Sequence, residues 1–76
     1  MTGKEREKLR KLAEIEGYAD VDALIRATAL DSVSPAICMN ADCDYTADME
    51  PDQTRGWCEH CNTNSMKAAL VLAGLI

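Results

Sequence analysis

A small α+β fold is predicted by three features of this 76-residue sequence: a charged N-terminal third with helical periodicity, a turn-rich middle holding all four cysteines, and an apolar C-terminal stretch. A chain this short buries one modest core, and below about 70 to 80 residues such a core rarely supplies more than about 3 to 5 kcal/mol. Phenylalanine is absent, and one tryptophan with two tyrosines adds little bulk. The fold is therefore expected to need a staple, and the cysteines are the residues that can provide one. No repeat or low-complexity tract divides the chain. It reads as a single domain over 1–76, with a helical hairpin over 1–31, the cysteine-bearing segment over 36–62 and an apolar helix over 65–76. The only plausible joint is "DSVSPA" at 31–36.

The first helix is expected over 4–16, where Leu9, Leu12, Ala13 and Ile15 form a narrow apolar stripe and Glu7 and Lys11 form an i, i+4 charge pair. Gly17 stands where glycine ends helices. Asp20 is a good N-cap for a second helix that places Val21, Leu24, Ile25 and Thr28 on one side. That helix should stop near Leu30, because Pro35 follows and pushes Ser34 into an extended shape. The segment "LRKLAEIEGYADVDALIRATA" is similar to the two-helix part of ribbon-helix-helix DNA-binding proteins, in Gly17-Tyr18 and in Leu24-Ile25-Arg26. Those proteins read DNA with a strand ahead of the first helix, and only Met1, Thr2 and Gly3 precede it here. A helical hairpin covering the cysteine segment is the expectation.

In the middle segment, "ICMNADCDYTADMEPDQTRGWCEHC", Cys38 and Cys43 form a C-x4-C pair and Cys58 and Cys61 a C-x2-C pair, fourteen residues apart. That spacing favours a four-thiolate structural zinc site. A knuckle turns sharply after its second cysteine, which suits residues that tolerate positive φ, and Asp44 and Asn62 stand at those positions. Between the pairs, Tyr45, Ala47 and Met49 alternate with Thr46, Asp48 and Glu50, as in a half-buried strand. "PDQTRG" then supplies a turn and "GWC" a short return strand, with Trp57 expected beside the metal. The expected layout is knuckle, hairpin, knuckle.

On these residues, positions 36–62 resemble a zinc ribbon of the rubredoxin-like type. The longer string "CMNADCDYTADMEPDQTRGWCEHCNTN" is similar to small bacterial and phage proteins that carry a ribbon ahead of an apolar C-terminus. The resemblance implies one Zn2+ per chain on Cys38, Cys43, Cys58 and Cys61, and implies no activity, because the ribbon hosts unrelated functions. Ribbons often have two C-x2-C knuckles, and the first pair here is wider. Iron in the same cage, a dithiol at Cys58 and Cys61, and disulfides are the alternative readings. His60, the only histidine, is expected to be an exposed turn residue, with a substituting ligand role as the alternative.

The N-terminal "MTGKEREKLRKLAEIEG" has nine charged residues and no apolar core of an export signal, which points to the cytoplasm, where clustered cysteines more often bind metal. Those seventeen residues hold five basic and four acidic side chains, and residues 18–76 hold three basic and nine acidic. A body this acidic disfavours nucleic-acid binding. The C-terminal "SMKAALVLAGLI" is expected to form a helix from Met66 to about Ala73, capped by Ser65 and ended by Gly74. It is too short for the roughly 20 apolar residues of a membrane span. Its apolar circumference predicts a central position, with residues near Leu72, Leu75 and Ile76 at a homodimer or partner contact, the alternative being a monomer in which they fold back onto the helical hairpin. No nucleophile with a base, glycine-rich phosphate loop or paired acids appears, so no enzyme is expected. The expected role is a cytoplasmic zinc-binding protein with a structural metal and a protein partner. A nucleic-acid-binding regulator and an iron or dithiol redox protein are the rivals.

Overall fold

A computed structural model describes residues 3–29 and 31–75. The elements in chain order are α1 (Gly3–Ile15), α2 (Val21–Thr28), β1 (Ser34–Cys38), β2 (Thr46–Met49), β3 (Gly56–Cys58), β4 (Thr63–Ala68) and α3 (Ala69–Leu72). The strands form one antiparallel sheet in the order β2-β1-β4-β3.

The two N-terminal helices form where their periodicity places them. Asp20 caps α2, its Oδ1 accepting from Ala23 N–H at 2.9 Å. Gly17 takes φ +84°, and the N–H groups of Gly17 and Tyr18 return to the carbonyls of Glu14 and Ala13. This glycine-terminated pair of hydrogen bonds closes the last turn of α1. Gly74, at φ +77°, ends α3 in the same way, with Gly74 and Leu75 bonding back to Val71 and Leu70. Leu9, Leu12 and Ala13 are buried as expected, whereas Ile15 is 49% exposed. It lies outside the stripe because only the i, i+3, i+4 rows reach the core. Lys11, expected beside Glu7, instead reaches Asp44 Oδ2 at 3.6 Å. The expected stop near Leu30 falls outside the described residues.

The sheet corrects the predicted hairpin. β2 and β3 do not pair with each other: β2 pairs with β1 and β3 with β4, so the two segments lie at opposite edges. Each cysteine pair sits in the turn of its own hairpin. The supposed joint at 31–36 runs into β1, a strand buried along its whole length. Pro35 is tolerated there for a definable reason. In the β1–β2 ladder Cys38 N–H donates to Tyr45 O, so alternation turns the N–H position of residue 35 toward β4. The β1–β4 pairing ends at Ala36 and Ala68, so no ladder bond is lost.

The C-terminal helix is also corrected. Residues 63–68 are strand β4, and only Ala69–Leu72 are helical. Ser65 caps nothing and lies in the strand, because pairing between β1 and β3 on both sides satisfies more backbone groups than a short helix would. α3 packs against α1, α2, β1 and β4.

β1 divides two cores. Ile37 faces the helices with Leu9, Leu12, Leu24, Ala69 and Leu72. Ala36 and Cys38 face the other way, with Cys43, Cys58 and Met66. Gly56 opposes Met49 across the curl of the sheet, and a side chain at residue 56 would collide with the Met49 thioether.

Leu72, expected at an intermolecular contact, is 1% exposed and belongs to the helical core, whereas Leu75 is 63% exposed. Ile76 lies outside the described residues. Leu72→Ala is therefore expected to lower stability by about 2–5 kcal/mol through the cavity it leaves, and Leu75→Ala by less than about 0.5 kcal/mol. Denaturant unfolding of the metal-loaded chain compares the two. Equal losses would place the C-terminal residues differently.

Candidate metal centre

The two knuckles bring all four thiols together. Cys38 ends β1, Cys43 closes the following loop, Cys58 ends β3, and Cys61 lies in the turn before β4. Their Sγ atoms all lie within 4.8 Å of one another, and Cys38–Cys61 and Cys43–Cys58 are each 3.8 Å apart. A tetrahedral thiolate site with metal–sulfur bonds of about 2.3 Å has sulfurs about 3.8 Å apart. The donor set fits a metal ion by chemistry and spacing. None of the four is in a disulfide. Cys38, Cys43 and Cys58 are buried and Cys61 is half-buried.

The second knuckle is built as its spacing predicts. Asn62 adopts φ +59°, and its N–H donates to Cys58 O at 2.7 Å. Cys61 N–H points at Cys58 Sγ from 3.4 Å. The first knuckle differs. Asn62 is the one non-glycine residue with positive φ among the described residues, so Asp44 does not make the expected left-handed turn. The longer loop turns earlier, with Cys43 N–H donating to Asn40 O at 3.1 Å. Two extra residues give this loop room to reverse without a left-handed position.

What holds the wide loop is Lys8, a residue that reads as one of many helix-surface charges in the sequence. Its side chain is 5% exposed. Nζ donates to Asn40 O at 2.7 Å and Cys43 O at 2.6 Å, and lies 3.2 Å from Asp44 Oδ1. The three protons of the ammonium are thus all used. Lys8 ties α1 to the loop and sets a positive charge beside a cluster that would become anionic with a metal held by four thiolates. Asp44 completes the tether. The Lys8 hydrogen bond holds its carboxyl below the usual carboxylate range, and the charges of Lys8 and Lys11 act in the same sense against partial burial. The resulting stabilisation is present above about pH 3.9, the unfolded carboxyl value, and is lost as pH falls through the lower folded value.

A second set of polar contacts joins the knuckles. Asn40 Nδ2 donates to Thr63 Oγ1 at 3.4 Å, Thr63 and Ser65 hydroxyls are 2.9 Å apart, and Ser65 Oγ lies 3.1 Å from Cys38 Sγ. Ser65 is aimed there by a β-bulge: from Gly56–Met66 to Trp57–Asn64 the register advances one residue on β3 and two on β4. Burial raises the Cys38 thiol pKa, but hydrogen bonds from Ser65, Asn40 N–H and the neighbouring thiols outweigh it and bring it to about 7. Cys43 moves oppositely. A backbone hydrogen bond at Tyr45 favours its thiolate, yet burial and the other three sulfurs push it up to about 12. Cys38 gives up its proton readily and Cys43 then holds its own, until a cation compensates the charge.

His60 is exposed, as expected of a turn residue, yet its Nδ1 is 3.4 Å from Cys43 Sγ. It sits outside the four-sulfur cluster, against one sulfur. Trp57 corrects an expectation: it is 50% exposed on the edge strand, between buried Gly56 and Cys58, and does not cover the site. Ser65, Asn40 and Lys8 were missed from the sequence. Only the polar run "NTNS" after Cys61 hinted at hydroxyls near the sulfurs. Comparison with protein-family models, with curated proteins and with solved structures returns no match. Among the described residues, no helix is long and apolar enough to cross a membrane.

Lys8→Met removes three hydrogen bonds, leaving Cys43 O without its donor and Asn40 O with only the Cys43 N–H. Metal affinity measured by chelator competition is expected to fall about 10–100-fold, the range for partners that orient ligands. Lys11→Met removes only a half-exposed ion pair, worth about 0.2–1 kcal/mol, and should change affinity about five-fold or less. Equal effects would remove Lys8 from its special place.

Proposed function

We propose that this chain is a small zinc-binding protein whose metal is structural and whose work is contact with another protein. The observation that supports it most is the gathering of four free thiols within 4.8 Å, two from each of two hairpin turns. Cys38, Cys43, Cys58 and Cys61 would be the ligands of one Zn2+ per chain, in a rubredoxin-like ribbon made of two knuckle-bearing hairpins. When bound, the ion supplies cross-linking charge compensation. The chain's own groups orient it: Lys8 and Ser65 hold the first knuckle, and the Asn62 turn holds the second. A closed set of four protein ligands leaves no position for substrate, which supports a structural role and not a catalytic one.

Iron shares the tetrahedral thiolate preference, and metal analysis separates the two. The dithiol reading is weaker, because Cys58 and Cys61 lie at a strand end and turn, away from the helix N-terminus that activates such pairs. Free thiols suit a reducing compartment, and we assign the protein to the cytoplasm on that ground.

One equivalent of zinc is expected in protein purified without added metal. A strong chelator should abolish most of the circular dichroism signal, since structural zinc contributes about 10–16 kcal/mol in small peptides. A metal-free chain with an unchanged spectrum would refute the structural site. His60→Ala should keep one zinc per chain, and a drop would make the histidine a ligand. Because the net charge is −5, fluorescence anisotropy with duplex and single-stranded probes should show no submicromolar binding at low salt.

A further inference from the structure

The helices cover one face of the sheet and leave the other partly open. On that open side Tyr45, Ala47 and Met49 are only half-buried against the cysteine core. A cleft of about 520 Å3 lies over them, between the β2 and β3 edges, with half-exposed Trp57 as its far wall. The charges lining it are three carboxylates, Asp48, Glu50 and Glu59, against the single guanidinium of Arg55. Glu59 stands 3.5 Å from the Tyr45 hydroxyl, so acid and aromatic surface adjoin.

The backbone beside the cleft is also open. Because Cys38 pairs with Tyr45 and Ala36 with Ala47 in the inward-bonded positions of the β1–β2 ladder, the N–H and C=O groups of Thr46 and Asp48 turn outward. β2 is an edge strand. An edge with free backbone groups, alternate apolar side chains and flanking charge is the arrangement that receives an added strand.

We propose that this cleft docks an extended, lysine- or arginine-bearing segment of a partner protein. The segment lies along β2, with apolar side chains on Tyr45, Met49 and Trp57 and cationic ones against Glu59 and the Asp48–Glu50 end. The proposal rests on the protein-contact role above and names the partner's chemistry. Charge decides the occupant. Nucleic-acid phosphate would meet three carboxylates, and a second copy of this chain would bring the same acids edge to edge, whereas a basic strand is attracted and oriented. An exposed indole adds a further preference for cations.

Trp57 is the only tryptophan and therefore a built-in probe. Zinc-loaded full-length protein is titrated with an eight-residue peptide of alternating valine and lysine and with its valine–glutamate counterpart, following Trp57 fluorescence. The lysine probe should give a saturable change, with the glutamate probe at least about ten-fold weaker, as expected when like charges replace opposite ones. The double variant Asp48→Lys, Glu59→Lys should bind the lysine probe at least about ten-fold more weakly while retaining one zinc per chain. No saturable response to the lysine probe, equal binding of the two probes, or an unchanged affinity in the zinc-loaded variant would overturn the proposal. So would sedimentation showing self-association that buries Trp57, which would make a second copy the occupant. Affinity capture from the host with wild type and variant separates the two levels. The same partner on both overturns the cleft and keeps the contact role, and a partner on neither overturns both.

Discussion

The pairing of Ala36–Cys38 with Met66–Ala68 is the interaction on which the rest of the structure depends. Each cysteine pair belongs to a separate hairpin, and a hairpin alone is marginal in water. Joining β1 to β4 fuses the two into one sheet and sets their turns side by side. Met39 N–H extends the same ladder to Ser65 O at 2.7 Å, next to the sulfurs. Cys38 and Cys61, from different hairpins, approach to 3.8 Å as a consequence.

β1 also keeps the two cores apart while making them interdependent. Its Ile37 belongs to the helical side, and Ala36 and Cys38 to the side of the sulfurs. Disturbing either packing therefore moves the backbone of the other. Lys8 provides a second link, reaching from α1 to the first knuckle through charge-assisted hydrogen bonds in a dry setting. Lys67 and Glu5, 3.5 Å apart, join α1 to β4 by a weaker and more exposed pair. Among the described residues no buried side-chain nitrogen or oxygen lacks a partner, which a domain with so small a core requires.

The asymmetry of the sheet bears on function. Three helices fill one face, and the opposite face is closed around Cys38, Cys43, Cys58 and Met66 and open at the cleft lined by Tyr45, Met49, Gly56 and Trp57. A metal at the closed end would stiffen both edges without occupying the open part. Under the proposed function, that division would let a metal hold a surface in shape while the surface meets a partner.

The sequence by itself determined the features that rest on short spacings. The Asp20 cap, the Gly17 stop, the helical stripe of Leu9, Leu12 and Ala13, the two cysteine pairs and the Asn62 turn all depend on residues a few positions apart, so local chemistry suffices. Only the tertiary structure decided which strands pair. "TNSMKA" has little intrinsic strand preference, and it becomes β4 because β1 and β3 flank it on both sides. The same pairing sent β2 and β3 to opposite edges, exposed Trp57 and shortened the last helix to four residues. Lys8 illustrates the limit most clearly. In "KEREKLRK" it is one charge among seven, and only the packing of α1 against a loop more than thirty residues away makes it a buried donor to Asn40 and Cys43. Nothing local distinguishes a lysine that faces water from one that meets two carbonyls, because the difference lies in the partner and not in the residue.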